Sequence, residues 1–176
     1  QQVSSAASDV YKRQDYVGMK YLAVATIQSF IIIGTLFLYY FVDILAMGRG
    51  WAWILDTFPL FLTTVFCGIL LVVTYTSIGL ALSSISRGKF FPGIALLAVL
   101  LGTKTLAAIV QGLFDRSILY LISPYDSVAH VGQALIGTNV VYDHPWIWSL
   151  ASVVAINAIS LYVLSVRVSS MEVTRE

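Results

Sequence analysis

Long apolar runs alternate with short polar segments along the chain. Four such runs cover residues 21–42, 58–82, 90–114 and 146–166, with 22, 25, 25 and 21 residues, and Lys104 is the one charged residue within them. At about 1.5 Å of rise per residue, each run is long enough for a helix to cross a hydrocarbon core of roughly 30 Å. The runs are too long and too continuously apolar for barrel strands, so the pattern predicts four transmembrane helices.

The polar connections predict where these helices end. Three serines close the second run, Gly88 breaks the helix, and Pro92 suits the first turn of the next one. The second and third spans are therefore expected to be antiparallel neighbours. Before the second run, residues 43–57 hold two glycines around Arg49 and then two tryptophans, which is typical of a short turn at the membrane interface.

The longest connection, residues 115–145, predicts a helix of its own. Ser123, Pro124 and Asp126 have the form of a capping box with proline in the first turn. Apolar residues then recur at helical spacing, namely Val128, Val131, Ala134 and Leu135. Gly137 is placed to end this helix. The pattern predicts an amphipathic helix lying on, or dipping into, the outer leaflet, and packing of the helix on the ends of the spans is the alternative.

Composition supports a membrane protein. Of the 176 residues, 59% are apolar and 11% charged, and the mean hydropathy is +0.87, whereas a soluble domain has roughly 45–50% apolar and about 25% charged residues. The predicted fold class is an all-α, polytopic membrane helical bundle, with four transmembrane helices and the outer amphipathic helix, formed by residues 15–176. The connections are too short for a separate catalytic or nucleotide-binding domain.

The positions of the charges predict the orientation of the chain. Basic residues lie on one side of the predicted bundle: Lys20, Arg87, Lys89, Arg167 and Arg175. On the other side, two arginines are accompanied by five aspartates and by all four tryptophans. The positive-inside rule predicts that both termini are cytoplasmic, and we expect the chain to lie in the cytoplasmic membrane. The inverted orientation is the less favoured alternative.

Residues 1–14, with the sequence QQVSSAASDVYKRQ, are small and polar and differ from everything that follows. They lack the charged and apolar regions of a signal peptide. They are similar to a translated sequencing adapter, so we expect a non-native segment and a natural protein that extends further upstream. A disordered cytoplasmic tail is the alternative, and neither interpretation assigns a function to this segment.

Motifs of catalysis are missing from the sequence. The stretch GTKT at residues 102–105 lacks the glycine spacing of a phosphate-binding loop, and no metalloprotease, serine-hydrolase or Cys–His motif occurs. We therefore expect no enzymatic activity and no cofactor. His130 and His144 share the outer segment with aspartates but without clustered spacing, so solvated loop histidines are preferred to a metal site. Cys67, the single cysteine, is expected to be a small packing residue.

Lys104 is the candidate for a functional residue within the spans. Its helix face is small or polar, as expected for a surface that faces other helices. That face consists of Gly93, Leu97, Lys104, Ala107, Ala108 and Gln111. Asn157 lies at a similar depth in the fourth span, and its side-chain oxygen is the expected acceptor for the ammonium group. Three interpretations stay open: a translocation path or subunit interface lined by Lys104, Gln111 and Asn157, a structural clamp between helices, and snorkelling to the outer interface.

Three segments carry a family resemblance. They are DYVGMKYLAV at residues 15–24, LSSISRGKFFPGIALLAVLLG at residues 82–102 and the basic end VRVSSMEV at residues 166–173. Together with the order of the spans and the helix before the last one, these segments resemble the C-terminal two-thirds of a permease subunit of the type 2 ABC transporter family.

The resemblance implies six spans, of which the first two and the coupling helix would precede this chain. It also implies a homo- or heterodimer of permease subunits and a separate ATP-binding subunit that drives export. Tyr16, Gly18 and Lys20 would be the remnant of the coupling region. Arg87 and Lys89 would face the ATPase or anionic lipid headgroups, although fixing the topology explains these two charges equally well.

The substrate is not revealed by the sequence, and neither the composition nor the motifs indicate a nucleic-acid partner. A non-transporting membrane assembly subunit of a larger complex is the alternative function. An ion-coupled transporter is disfavoured because the predicted spans contain no acidic residue.

Overall fold

The computed structural model describes the backbone of residues 2–86, 90–138 and 142–173, and the side chains of residues 15–86, 90–138 and 142–167. The described backbone forms helices and no strand. In chain order these are α1 (Gln2–Ala46), α2 (Trp51–Ile85), α3 (Phe91–Phe114), a 3-10 helix (Ile118–Ile122), α4 (Pro124–Ile136) and α5 (Trp146–Val173). In the described part, α1, α2, α3 and α5 are long and apolar enough to cross a membrane. The predicted all-α bundle with four spans is therefore confirmed, and the predicted runs fall within these helices to within one residue.

α2 is the central helix of the bundle and contacts α1, α3, α4 and α5. Its buried residues are Gly68, Val72, Thr74, Thr76, Ser77, Ile78, Leu80 and Ala81. Most of these side chains are small or carry a hydroxyl, which lets neighbouring helices approach closely. At Gly68, for example, an added Cβ would lie 3.3 Å from Cδ1 of Leu36 in α1. Membrane-type packing by small residues thus holds α1 and α2 together.

α1 lies at the edge of the bundle. No residue in its most apolar window is fully buried, and Phe30 is 82% exposed. Polar contacts with α2 are few but well placed: Thr76 Oγ1 donates to Gln28 Oε1 at 2.9 Å, and the hydroxyl groups of Tyr21 and Ser77 lie 3.3 Å apart. The remaining surface of α1 is apolar enough to be covered by lipid acyl chains.

The turn between α1 and α2 is short, as predicted. Gly48 adopts a positive φ of 58°, which glycine accommodates without strain. The ring of Tyr40 stacks between Trp53 and Phe61, at centroid distances of 5.8 and 4.5 Å, and the Arg49 guanidinium lies 5.1 Å from the centroid of the Trp53 ring. These aromatic contacts fix the hairpin where an interfacial belt is expected.

α2 and α3 are neighbours, which confirms the prediction for the second and third spans. α2 ends at Ile85 and is capped by Ser86, and Pro92 lies in the first turn of α3. Along the contact, an added Cβ at Gly79 would meet Leu96 at 3.8 Å. Gly88, which was predicted to break the helix, lies outside the described residues.

The segment between α3 and α5 turns back into the bundle. The 3-10 helix packs along α3, and α4 then starts beside Lys104, which is ten residues before the end of α3 at Phe114 and so about 15 Å from it by helical rise. Further along α4, Gly132 lies against Cys67 near the middle of α2. The 3-10 helix and α4 therefore form a re-entrant hairpin, residues 118–136, that reaches the central level of the spans.

The predicted caps of α4 are confirmed. Ser123 precedes the helix and its Oγ accepts a hydrogen bond from the backbone N–H of Asp126 at 3.4 Å, Pro124 lies in the first turn, and Gly137 ends the helix with a φ of 74°. The buried residues of α4 are Pro124, Asp126, Ser127, Val128, His130, Val131 and Gly132. Because polar and apolar residues are buried together, α4 packs against the spans and does not lie on a membrane surface with a water-facing polar side.

Candidate functional site

The re-entrant hairpin, the start of α5 and the residues between them enclose a group of polar side chains. We call it the polar cluster, and it consists of Ser117, Ser123, Asp126, His130, Tyr142, Asp143, His144 and Ser149. Seven of these eight residues are buried or half-buried, and Asp143 is exposed, in a chain whose surface is mostly apolar. Buried polar groups are stable only when they are hydrogen-bonded, so the partners of each side chain decide what the cluster can do.

Ser149 joins two histidines. Its Oγ lies 2.8 Å from Nδ1 of His130 and 3.1 Å from Nε2 of His144, and the two imidazole rings meet edge to face with centroids 4.8 Å apart. A serine hydroxyl carries a single proton, so at least one of the two imidazoles must donate an N–H to it. The Nδ1 atom of His144 is buried and has no hydrogen-bond partner among the described residues.

Burial lowers the pKa of both histidines below the usual value. For His130 the proximity of His144 lowers the pKa further, while for His144 the effect of burial is partly opposed by Asp143. The neutral form of each ring is therefore favoured in the folded protein. The sequence-based interpretation of solvated loop histidines is wrong for His130, which is 1% exposed, and His144 is half-buried. Helix packing of residues 118–136 into the bundle buries these rings.

Asp126 and Tyr142 form the second part of the polar cluster. Oδ2 of Asp126 accepts a hydrogen bond from Ser123 Oγ at 2.6 Å, and Oδ1 accepts one from the Tyr142 hydroxyl at 3.3 Å. Burial, followed by the charge of Asp126 and the hydrogen bond to it, raises the pKa of Tyr142. The Tyr142 ring also lies 4.7 Å from that of His130, so the tyrosine links the carboxylate to the histidine pair.

Serine side chains anchor the start of the hairpin to α5. Ser117 Oγ accepts a hydrogen bond from the backbone N–H of Asp143 at 2.8 Å and donates to its Oδ2 at 3.2 Å. Ser152 and Ser127 both donate to the carbonyl oxygen of Leu121 in the 3-10 helix. Ser152 thus ties the hairpin to α5, and Ser127 ties α4 to the 3-10 helix within the hairpin, so its position does not depend on apolar packing alone.

Metal binding is not supported in the part of the chain that the structure describes. No group of three or more histidine, cysteine, aspartate or glutamate side chains is arranged to hold an ion there. The carboxylate of Asp126 is engaged by Ser123 and Tyr142 and does not approach the histidines as a shared ligand.

Lys104 has a different partner from the predicted one. Its Nζ lies 4.4 Å from the centroid of the Tyr125 ring at the start of α4. The Nδ2 atom of Asn157 donates to Thr74 Oγ1 at 2.9 Å and to the Val153 carbonyl at 2.8 Å, and its Oδ1 has no hydrogen-bond partner within the described part of the chain. The predicted bond between the ammonium of Lys104 and the Asn157 oxygen is therefore wrong, because the re-entrant hairpin places an aromatic ring beside the lysine.

The contact with Tyr125 offsets only part of the cost of a charge at mid-span. A lysine at the centre of a membrane helix costs roughly 2.5–3.5 kcal/mol on insertion scales. A cation–π contact returns about 0.5–1 kcal/mol at an exposed site and about 2 kcal/mol when desolvated. Lys104 itself is exposed on the surface of the described chain. The contact with Tyr125 alone therefore does not offset the full cost of placing this ammonium group at mid-span.

The face of α3 that carries Lys104 is only partly covered by other helices of this chain. Of its members, only Ala107 is buried, whereas Leu97 is 60% exposed and Ala108 is also exposed. Gln111 is half-buried, and its backbone carbonyl accepts a hydrogen bond from the N–H of Asp115, the residue that caps the end of α3. Lys104 and Gln111 thus share one open surface, while Asn157 belongs to a separate contact between α2 and α5.

The residues assigned by resemblance to an ATPase-facing region lie in two places. Tyr16, Gly18 and Lys20 are exposed on the N-terminal part of α1, and Gly18 has open space around it. Arg87 and Lys89 lie outside the described residues. Their role stays a prediction.

Sequence reasoning did not single out Ser149 or Tyr142. Ser149 is 19 residues away from His130 along the chain, and only the folding of the re-entrant hairpin brings the two together. A serine in the first turn of an apolar helix is a common cap residue, so its sequence context carries no signal for this role.

The chain was compared with known proteins. No protein-family model matches it, and neither a curated protein nor a solved structure does. The resemblance to type 2 ABC permeases therefore rests on the segments and span order described above.

Proposed function

We propose that this chain is the membrane-spanning subunit of an ATP-driven transporter of the type 2 ABC transporter family, which exports an unidentified substrate across the cytoplasmic membrane. The observation that carries the proposal is the exposed Lys104 at mid-span depth, next to a re-entrant hairpin with many polar side chains. A charge in this position is costly, and intramembrane charges most often line the route of a substrate or ion.

The sequence is consistent with a division of labour between subunits. The chain lacks a nucleotide-binding motif, so ATP is expected on a separate ATP-binding subunit, and no cofactor or catalytic residue is assigned here. The other expected partners are membrane lipid and a second permease subunit, identical or homologous. Both termini are expected to be cytoplasmic because the basic residues lie at that side of the bundle.

In this proposal, closure of the ATP-binding subunits rocks two copies of the bundle relative to each other. Lys104 and Gln111, on the open face of α3, then change their exposure from one side of the membrane to the other. Asn157, which bonds to Thr74 between α2 and α5, contributes to the rigidity of each bundle. Tyr16 and Lys20 on α1 are exposed, and in this proposal they face a cytoplasmic partner.

The test begins with the full-length gene and its neighbours. We expect an adjacent reading frame with phosphate-binding and signature motifs, whose product copurifies with the permease and hydrolyses ATP in proteoliposomes. Lys104→Leu should reduce the coupled ATPase activity, whereas Ile94→Leu, at an exposed position of the same helix away from Lys104, should not.

Two results would count against the proposal in different ways. If no ATPase is encoded nearby and none copurifies, the alternative of a non-transporting assembly subunit is favoured. If the ATPase copurifies and Lys104→Leu folds and supports full activity, the complex is a transporter but Lys104 does not line its path.

A further inference from the structure

Lys104 and Tyr125 form an exposed pair of cationic and aromatic side chains at the central level of the spans. The ammonium group lies 4.4 Å from the ring centroid, and Tyr125 is 47% exposed. Lys104 is ten residues from the end of α3 at Phe114, which is too far for its stem to bring the ammonium to the interface.

The described residues provide no counter-ion for this lysine. Asp126, the acidic residue next to Tyr125 in the chain, already accepts hydrogen bonds on both oxygens, from Ser123 and from Tyr142. The four predicted spans contain no aspartate or glutamate. A second copy of this chain at the same depth would consequently add another ammonium group, and its Asp126 carboxylate would be engaged by Ser123 and Tyr142 in the same way.

The surroundings of the pair leave room for a ligand. Lys104 and Ala108, which lies one turn further along the same face of α3, are both exposed on the described chain. The nearby apolar side chains Leu101 and Ile122 are 63% and 52% exposed. A charged donor and an aromatic ring edged by apolar side chains match a molecule with an anionic group and an apolar body.

We propose that Lys104 and Tyr125 form a binding site for an anionic group, a carboxylate or a phosphate, carried by an amphipathic molecule. The ammonium neutralises the anion, and Tyr125 holds the lysine side chain towards the open face of α3. If the chain transports a substrate, this site selects for anionic amphipaths. The binding site itself depends only on the membrane architecture, so it is tested without an ATPase and stands or falls separately from the transport proposal.

The experiment measures binding to the purified chain by calorimetry and by the shift in melting temperature. The probes are decyl phosphate, inorganic phosphate and decyltrimethylammonium, added to protein in uncharged detergent. Decyl phosphate should bind, and decyltrimethylammonium should not. Lys104→Gln should raise the dissociation constant for decyl phosphate about tenfold or more, because the charge-assisted contact is lost.

Matched variants separate this site from general surface charge. Arg116→Gln removes an exposed cation just after the same helix and should leave the dissociation constant within about threefold of the wild-type value. Tyr125→Phe should retain binding, whereas Tyr125→Leu should weaken it because the cation–π contact is lost. Lys104→Arg should retain it because the charge remains.

The source of the anion is decided by competition in nanodiscs. If phosphatidylglycerol displaces decyl phosphate and phosphatidylcholine does not, the natural occupant is an anionic membrane lipid. If neither lipid displaces decyl phosphate, the occupant is a separate amphipathic molecule. Equal binding by inorganic phosphate would assign the site to free anions. The proposal would be overturned if the Lys104→Gln variant bound decyl phosphate as tightly as the wild type. It would also be overturned if Arg116→Gln weakened that binding as much as Lys104→Gln does. Should Lys104→Gln fail to fold, unchanged binding by Tyr125→Leu would overturn it instead.

Discussion

At the scale of single residues, the energetics of this protein depend on which polar atoms lose a partner when a side chain is removed. Ser149 is the sole described hydrogen-bond partner of both His130 Nδ1 and His144 Nε2. Thr74, in contrast, keeps a bond to the Leu70 carbonyl even without Asn157. A buried polar atom left without a partner destabilises the protein by more free energy than a typical hydrogen bond contributes. The Ser149 hydroxyl is therefore more important for stability than the Thr74 hydroxyl.

Replacing Ser149 by alanine should therefore be strongly destabilising. The substitution removes one hydroxyl and leaves two imidazole nitrogens unpaired, at about 1–3 kcal/mol for each buried polar group. We expect the free energy of unfolding to fall by about 2–4 kcal/mol, seen as a lower melting temperature in detergent. Ser84→Ala is the matched control, since Ser84 donates only within its own helix, to the Ala81 carbonyl. Similar melting temperatures for the two variants would contradict the role given to Ser149.

The contacts and burial of single side chains are also the part of the structure that the sequence predicts least well. Lys104 was identified because a charge in an apolar run is visible without a structure. Comparing the depths of residues along two straight helices predicts Asn157 as its partner. The same comparison cannot identify Tyr125, because Tyr125 lies in a segment that re-enters the bundle. The burial of His130 was missed for the same physical reason.

At the scale of elements, local signals predicted the structure well. Apolar length determined the four spans, and Ser123, Pro124 and Gly137 determined the two ends of α4, because caps depend on residues that are close in sequence. The position of α4 was not predictable in this way. Its apolar spacing indicates an amphipathic helix with one apolar face. Either a membrane surface or the helix bundle can cover that face, so the spacing does not decide between the two positions.

Close packing of α4 on α2 depends on Gly132. A Cβ at this position would lie 3.1 Å from Cys67 Sγ, closer than an ordinary van der Waals contact. Gly132→Ala should therefore lower the free energy of unfolding by about 1 kcal/mol or more through overpacking. In a Cys67→Ala background the same substitution should be neutral or stabilising, because the sulfur is gone and alanine favours the helix.

Gly102→Ala provides the control for this experiment. Gly102 lies inside α3 with nothing within 4 Å of an added Cβ, so alanine should stabilise the protein by about 0.5–1 kcal/mol. If Gly132→Ala destabilises equally with and without Cys67, the contact between α4 and α2 is not the cause.

The histidine pair should make the attachment of the re-entrant hairpin sensitive to pH. Both histidines have a pKa below 6.5 in the folded state and about 6.5 in the unfolded state. A lowered folded-state pKa contributes stability that is complete above the unfolded pKa and is lost as the pH falls through about 6.5 towards the folded pKa. The melting temperature should therefore stay constant at neutral pH and fall below about pH 6.5.

The variant His130→Gln with His144→Gln tests the origin of this dependence. It should melt at a lower temperature than the wild type at neutral pH but change little between about pH 6.5 and 5, since carboxylates titrate mainly below this window. An unaltered slope in the double variant would assign the pH dependence to groups outside the pair.

At the scale of the whole molecule, the charge pattern and the four spans together predict a topology. Four crossings would return the chain to the side on which it started, so the N-terminal part of α1 and the end of α5 are expected on one side. The turn between α1 and α2 and the re-entrant hairpin then lie at the other side. Positive charges outnumber negative ones on the first side, which the positive-inside rule assigns to the cytoplasm.

Cysteine labelling in intact cells tests this arrangement directly. Cys67→Ser removes the single native cysteine, and new cysteines are placed at Asp15, at Met47 in the turn after α1, and after Glu176. A membrane-impermeant maleimide should label only the Met47→Cys variant in intact cells and all three variants after permeabilisation. Phe30→Cys, in the apolar window of α1, should stay unlabelled throughout because it faces lipid. Labelling of the Asp15→Cys variant and of the C-terminal cysteine on opposite faces would require an odd number of crossings, and one of the four helices would then lie outside the hydrocarbon core.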